Sequence, residues 1–291
     1  MCGICGCGDE TPGETAAAGV THTHADGTTH THAVGAAPGA HTHADGTTHT
    51  HADGTTHTHA VAKDEAGDEA AGRRVAIEQA IFAKNDQIAG LNRAFLRGRR
   101  VLALNLVSSP GSGKTAILER TIRALDGDIA QCVLEGDQAT DHDAERIRAA
   151  GARALQINTG AGCHLDAEMV RKGIDALDPD PRSVLVIENV GNLVCPAHFD
   201  LGEHCKVVVC STTEGEDKPI KYPHMFRASS LMLLNKTDLL PHLDFDVEQC
   251  VAYARAVNPS LEVIRLSART GEGFEAWLDW LRARVDGNAG G

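Results

Sequence analysis

Val101-Leu-Ala-Leu-Asn-Leu-Val-Ser108-Ser-Pro-Gly-Ser-Gly-Lys114-Thr115 opens as a nearly continuous apolar run and closes on glycines, a lysine and a threonine. An apolar run of this length is expected of a strand buried on both faces. The glycines after it let backbone N–H groups turn inward as an anion nest, and a following helix adds positive potential at its N-terminus. Gly111, Ser112 and Gly113 would line that nest, Lys114 would reach outer phosphates, and the Thr115 hydroxyl would coordinate Mg²⁺. The generic motif begins with Gly where this chain carries Ser108, but Gly113-Lys114-Thr115 stand in the required strand–loop–helix setting.

Similar apolar runs recur at 129–134, 153–157, 183–188, 205–211, 230–235 and 261–266. Amphipathic helical stretches lie between most of them, near 114–125, 141–150, 165–177, 246–257 and 273–285. Ahead of the first run, Val75, Ile77, Ala80, Ile81, Ile88, Leu91 and Phe95 have helical spacing over 73–97, and Gly98 ends it. Alternating strands and helices predict an α/β fold of the P-loop NTPase kind, a mostly parallel sheet with helices on both faces. Its ligands belong at the carboxyl ends of the strands.

Two of those ends carry carboxylates: Glu135-Gly-Asp137-Gln138 after 129–134, and Glu188 closing Val184-Leu-Val-Ile-Glu188. Asp137 and Glu188 are the candidates, with Lys114, for holding Mg²⁺ and orienting an attacking water. No arginine stands out as a finger supplied in cis. A third end leads into Asn235-Lys236-Thr-Asp238. A carboxylate in a base pocket pairs with guanine N1–H and its 2-amino group; adenine would leave it unpaired, at a cost of about 1–3 kcal/mol. Ser267-Ala268 after the next run can close over the base, so GTP is the expected nucleotide rather than ATP.

Thiolates and imidazoles then raise the question of metal. Cys163 and His164 are adjacent before a helix, and Cys195 lies seven residues past Glu188. Two or three ligands from one chain are too few for a closed tetrahedral site, and a symmetric dimer would supply them twice over. Cys132, Cys210 and Cys250 read instead as small buried hydrophobes. At the other extreme of the chain, ten of sixteen histidines fall between His22 and His59: His22, His24, His30, His32, His41, His43, His49, His51, His57 and His59. They sit in a near-exact repeat, His-Ala-Asp-Gly-Thr-Thr-His-Thr-His-Ala, and Cys2, Cys5 and Cys7 precede them. Residues 1–72 hold few large apolar side chains and are expected to be a disordered metal-binding tail, leaving 73–291 as one nucleotide-binding domain.

Charge and cysteine usage narrow the partners. The net charge is −13; one lysine and ten carboxylates give the tail −9 and leave −4 for the rest. No basic stretch reads as a nucleic-acid or membrane footprint. Nine cysteines, with no signal peptide or long apolar run, point to a reducing cytoplasm.

The set Cys2-Gly-Ile-Cys5-Gly-Cys7, Ser108–Thr115, Glu135-Gly-Asp-Gln138, Cys163-His-Leu-Asp166, Glu188-Asn-Val-Gly-Asn-Leu-Val-Cys195-Pro196 and Asn235-Lys-Thr-Asp238 resembles the HypB family, GTPases that assist nickel insertion into [NiFe] hydrogenase. That resemblance implies a tight Ni²⁺ site at Cys2, Cys5 and Cys7. It also implies a weaker Ni²⁺ or Zn²⁺ site at Cys163, His164 and Cys195, at a homodimer interface that depends on GTP and metal. The implied partners are a HypA-type nickel chaperone and the hydrogenase large-subunit precursor. The histidine repeats would be a weak, high-capacity buffer. Family members often carry His where this chain has Glu168. Rival readings are a urease accessory-type nickel GTPase and a nickel storage or detoxification protein whose GTPase domain is regulatory.

Overall fold

The computed structural model describes the backbone of residues 19–23, 29–33, 48–50, 56–58, 65–137, 142–160 and 162–289, with side chains described between 79 and 287 outside those gaps. The chain divides into two units, Met1–Ala76 and Ile77–Gly291. Cys2, Cys5, Cys7, His24, His41, His43, His51, His59 and Gln138 lie outside the described residues.

In the first unit, β1 (Gly19–Thr23) pairs antiparallel with β2 (Thr29–Ala33), and β3 (Thr48–Thr50) with β4 (Thr56–Thr58). His22 stands opposite His30, and His49 opposite His57. A two-stranded ribbon by itself is marginal in water.

Helix α1 (Glu65–Gly98) starts eight residues before the expected Arg73. The added segment is rich in alanine and glutamate, strong helix formers without apolar spacing, so periodicity alone misses it. Its inward stripe also differs from the expected one. Asn85, Ala89, Asn92 and Leu96 are buried, whereas Ile81 and Leu91 are more than half exposed. Asn92 Nδ2 donates to Ala167 O (2.9 Å) and Leu201 O (3.0 Å), and Arg93 grips Asp200 with two bonds (2.5 and 2.7 Å).

The second unit holds β5 (Leu102–Ser108), α2 (Lys114–Ala124), β6 (Gln131–Asp137), α3 (His142–Ala150), β7 (Arg153–Asn158), α4 (Ala167–Leu177), β8 (Val184–Glu188) and β9 (Cys205–Ser211). After them come α5 (Lys218–Lys221), α6 (Pro223–Ala228), β10 (Ser229–Asn235), α7 (Val247–Val257), β11 (Glu262–Arg265) and α8 (Phe274–Ala289). The strands form one parallel sheet in the order β11-β10-β9-β5-β8-β6-β7. Every residue of central β5 is buried. Leu102, Leu104 and Leu106 face a core closed by Ile117, Leu118, Trp277 and Leu281, while Ala103 and Val107 face the layer beneath the other helices. That is the expected sheet covered on both faces. The short helices α5 and α6, each with proline in its first turn, were not expected, because four to six residues carry no readable period. No described helix is long and apolar enough to cross a membrane.

Candidate nucleotide and metal sites

The loop after β5 turns on Gly111 (φ 76°) and Gly113 (φ 98°), left-handed backbone that only glycine adopts freely. No side chain caps α2, and its first turn holds no acid, so its leading N–H groups favour an anion. Lys114 Nζ donates to Ser108 Oγ (2.8 Å), the position where the generic motif has glycine. A cavity of about 500 Å³ opens over this loop, walled by Glu135, Asp137, Asp143, Arg146, Glu188 and Gly191. A second cavity, about 370 Å³, lies at the amino ends of β6 and β7 beside Asp126, Asp128, Arg153 and Asp180. It sits at the wrong end of a parallel sheet for the expected chemistry.

Strand β6 runs to Asp137 instead of stopping at 134, so Glu135 lies inside the sheet, opposite Glu188 in register. Both are buried. Burial, followed by the neighbouring Glu188 charge, pushes the Glu135 carboxyl up to about 11. Burial likewise raises Glu188, against the pull of Lys114. Thr115 Oγ1 donates to Glu188 Oε1 (2.9 Å), while Glu135 Oε2 and Glu188 Oε2 are buried with no hydrogen-bond partner. Two such oxygens beside a threonine hydroxyl suit a hard divalent cation such as Mg²⁺. Asp137 closes β6 at the rim, and its carbonyl accepts from Thr159 N (3.0 Å).

The segments chosen for the base gather against the phosphate loop. Asn235 Nδ2 donates to Ser112 O (2.9 Å), and its Oδ1 accepts from Ala268 N (3.1 Å). Lys236 Nζ donates to Gly111 O (2.7 Å), and Ser267 Oγ donates to Asp238 Oδ1 (2.6 Å). A Cβ at Gly113 would lie 2.5 Å from Asn235 Nδ2, so the contact itself demands glycine. Asn235 therefore braces the loop, and Asp238 presents the carboxylate.

Groups on the cavity wall and beside the phosphate loop also lie beyond what the sequence marks. Sequence favours Asp137 over Glu135, whose pairing with Glu188 depends on strand register. Arg146 reaches the cavity wall from α3 but is held by Glu119 (3.2 and 3.0 Å) and Asp143 (2.9 Å). Lys218 Nζ donates to Ser109 Oγ (2.7 Å) from the unforeseen α5. Neither cation belongs to a motif, so no sequence signal marks it.

Ligand atoms of Cys163, His164 and Cys195 all lie within 4.8 Å of one another in a single chain. The fold brings all three together without a second chain. Cys163 Sγ and His164 Nδ1 are 3.6 Å apart, and the Phe199 ring lies 3.9 Å from the His164 ring. Burial lowers the His164 pKa, which favours the neutral imidazole that binds metals. Three ligands leave one tetrahedral position open. Glu168 stands apart in surface ion pairs with Lys84 (3.0 Å) and Lys172 (3.1 Å). Cys132, Cys210 and Cys250 are buried as expected, their thiols raised mainly by burial, to about 12 for Cys132 and about 11 for Cys250.

Residues 102–265 match the family described as CobW/HypB/UreG, nucleotide-binding domain. The hydrogenase maturation factor HypB of Azotobacter vinelandii is 60% identical over 233 residues, covering 77% of each chain. Among solved structures, HypB from Archaeoglobus fulgidus superposes with a TM-score of 0.65 at 41% identity, covering 70% of this chain and 99% of that one. HypB from Helicobacter pylori in complex with nickel gives 0.66 at 36% identity, covering 70% and 96%.

Proposed function

This chain belongs to the CobW/HypB/UreG family and, within it, to the HypB hydrogenase maturation factors, and on that footing we propose that it is a GTP-hydrolysing nickel metallochaperone. Lys114 and the loop N–H groups bind the outer phosphates. Asp238 accepts from the guanine edge. Mg²⁺, held by Thr115 with Asp137 and Glu188, would neutralise charge on the transferring phosphoryl group. Ni²⁺, or Zn²⁺ in its place, binds Cys163, His164 and Cys195, and the histidine repeats and Cys2, Cys5 and Cys7 supply it. Two chains associate when GTP and metal are bound, a HypA-type chaperone exchanges nickel with them, and the hydrogenase large-subunit precursor is the acceptor.

The observation that carries this reading is placement. Cys195 stands on the loop that leaves the nucleotide cavity, seven residues past Glu188, and Cys163 and His164 stand on the loop after β7, whose Thr159 N bonds Asp137 O (3.0 Å). A simple nickel store would need no ligands there. The test is a Ni²⁺ titration with GDP bound and again with a non-hydrolysable GTP analogue. Nickel affinity and dimer fraction are expected to differ between the two states, and linkage then requires metal to change nucleotide affinity by the same factor. Identical values in both states would refute the reading.

A further inference from the structure

Among the described residues, one side chain ties the nucleotide rim to both halves of the metal cluster. Asn189 follows Glu188 directly and begins the loop that leads to Cys195. It is buried, and its Oδ1 accepts from Leu165 N (3.2 Å) and Val190 N (3.0 Å). Leu165 is the residue after His164. Through Nδ2, Asn189 donates to Asn105 Oδ1 (3.3 Å) on central β5, and Asn105 in turn donates to buried Glu203 (3.1 Å).

The segments on either side of Asn189 are equally confined. A Cβ at Gly191 would lie 3.1 Å from Pro110 of the phosphate loop. Gly136, between Glu135 and Asp137, has room for no Cβ because the Leu165 side chain would lie 2.8 Å from it. Leu165 thus has its N–H on the β8 end and its side chain on the β6 end, the two strands that carry the site's carboxylates. Leu165, the neighbour of His164, is thus in contact with both strand ends.

We propose that Asn189 is a positioning residue that transmits nucleotide state to the Cys163–His164–Cys195 cluster, through its Oδ1 acceptor on the Leu165 amide. The inference rests on the proposed nickel function of that cluster. A small shift at a packed junction is passed on because close-packed interiors rearrange between discrete arrangements more readily than they deform.

The test uses the full chain carrying Cys2→Ser, Cys5→Ser and Cys7→Ser, so that thiolate-to-nickel charge-transfer absorption reports the cluster. Ni²⁺ is titrated with GDP and with the GTP analogue at saturation. In this background a difference in Kd between the two states is expected; its absence would remove the underlying function, and this arm is read before any variant. With the difference in place, Asn189→Ala should bring the Kd ratio to within about twofold of one. Asn189→Asp keeps the acceptor and should keep the ratio. Asn85→Ala serves as the control for simple loosening, because Asn85 Oδ1 holds Ala167 N (2.9 Å) at the start of α4, two residues past Leu165, without lining the nucleotide cavity; it too should keep the ratio. If Asn189→Ala does not fold, Asn189→Ser, whose hydroxyl stops short of the Leu165 amide, takes its place. A ratio retained in Asn189→Ala or its Ser substitute, or lost in Asn189→Asp or Asn85→Ala, overturns the proposal.

Discussion

Glu135 illustrates how one residue can be held in an unfavourable state by its neighbours. The fold keeps its carboxyl neutral, whereas an unfolded chain would ionise it above the ordinary value of 4.5. Its contribution to stability is therefore complete below pH 4.5 and is lost progressively as pH rises toward about 11. Glu135→Gln removes the group that must stay protonated. The nucleotide-free variant should melt above the parent at pH 8, with a smaller difference at pH 5. For a domain of this size each kcal/mol moves Tm by roughly 2–4 °C, within reach of a thermal melt at the two pH values. The placing of Lys114 and Thr115 on the phosphate loop and of Glu188 at a strand end was legible, because motif spacing and an apolar run mark those positions. The Glu135–Glu188 pairing was not, since it is created by strand register, which no local pattern encodes.

At the scale of elements, α1 shows where periodicity misleads. Its inward stripe contains Asn85 and Asn92, which a search for apolar spacing passes over, because their amides satisfy loop carbonyls and N–H groups in place of burying surface. The helix docks on Gly202 (φ +89°), where a Cβ would stand 2.6 Å from Ala89 O, 2.6 Å from Asn92 Cβ and 2.9 Å from Arg93 N. Gly202→Ala therefore combines a disfavoured backbone conformation with a collision against helix backbone. It should cost about 1–3 kcal/mol, read as a lower denaturation midpoint with an unchanged slope. The seven strands were legible as apolar runs. The three-residue extension of β6 was not, because its last residues are charged or glycine and their partners are distant in sequence.

At the scale of the molecule, a histidine- and cysteine-rich tail precedes a nucleotide-binding domain. Deleting residues 20–60 should lower the number of Ni²⁺ ions bound per chain while leaving GTP turnover nearly unchanged; metal analysis and a phosphate-release assay measure the two. A large fall in turnover would give the tail a part in the chemistry. Composition alone sets the expected boundary between tail and domain near residue 72, whereas assembly of the Cys163–His164–Cys195 cluster within one chain needed the fold.

The brace between Asn235 and the phosphate loop joins residues 123 apart in sequence. A ribosome adds about 5–20 residues per second, so Ser112 is synthesised on the order of 6–25 s before its partner. During that interval the nascent chain carries its tail histidines and cysteines, followed by Cys163, His164 and Cys195, while the nucleotide site lacks its brace. In the life of each molecule, the candidate metal ligands are made before the segment that braces the phosphate loop.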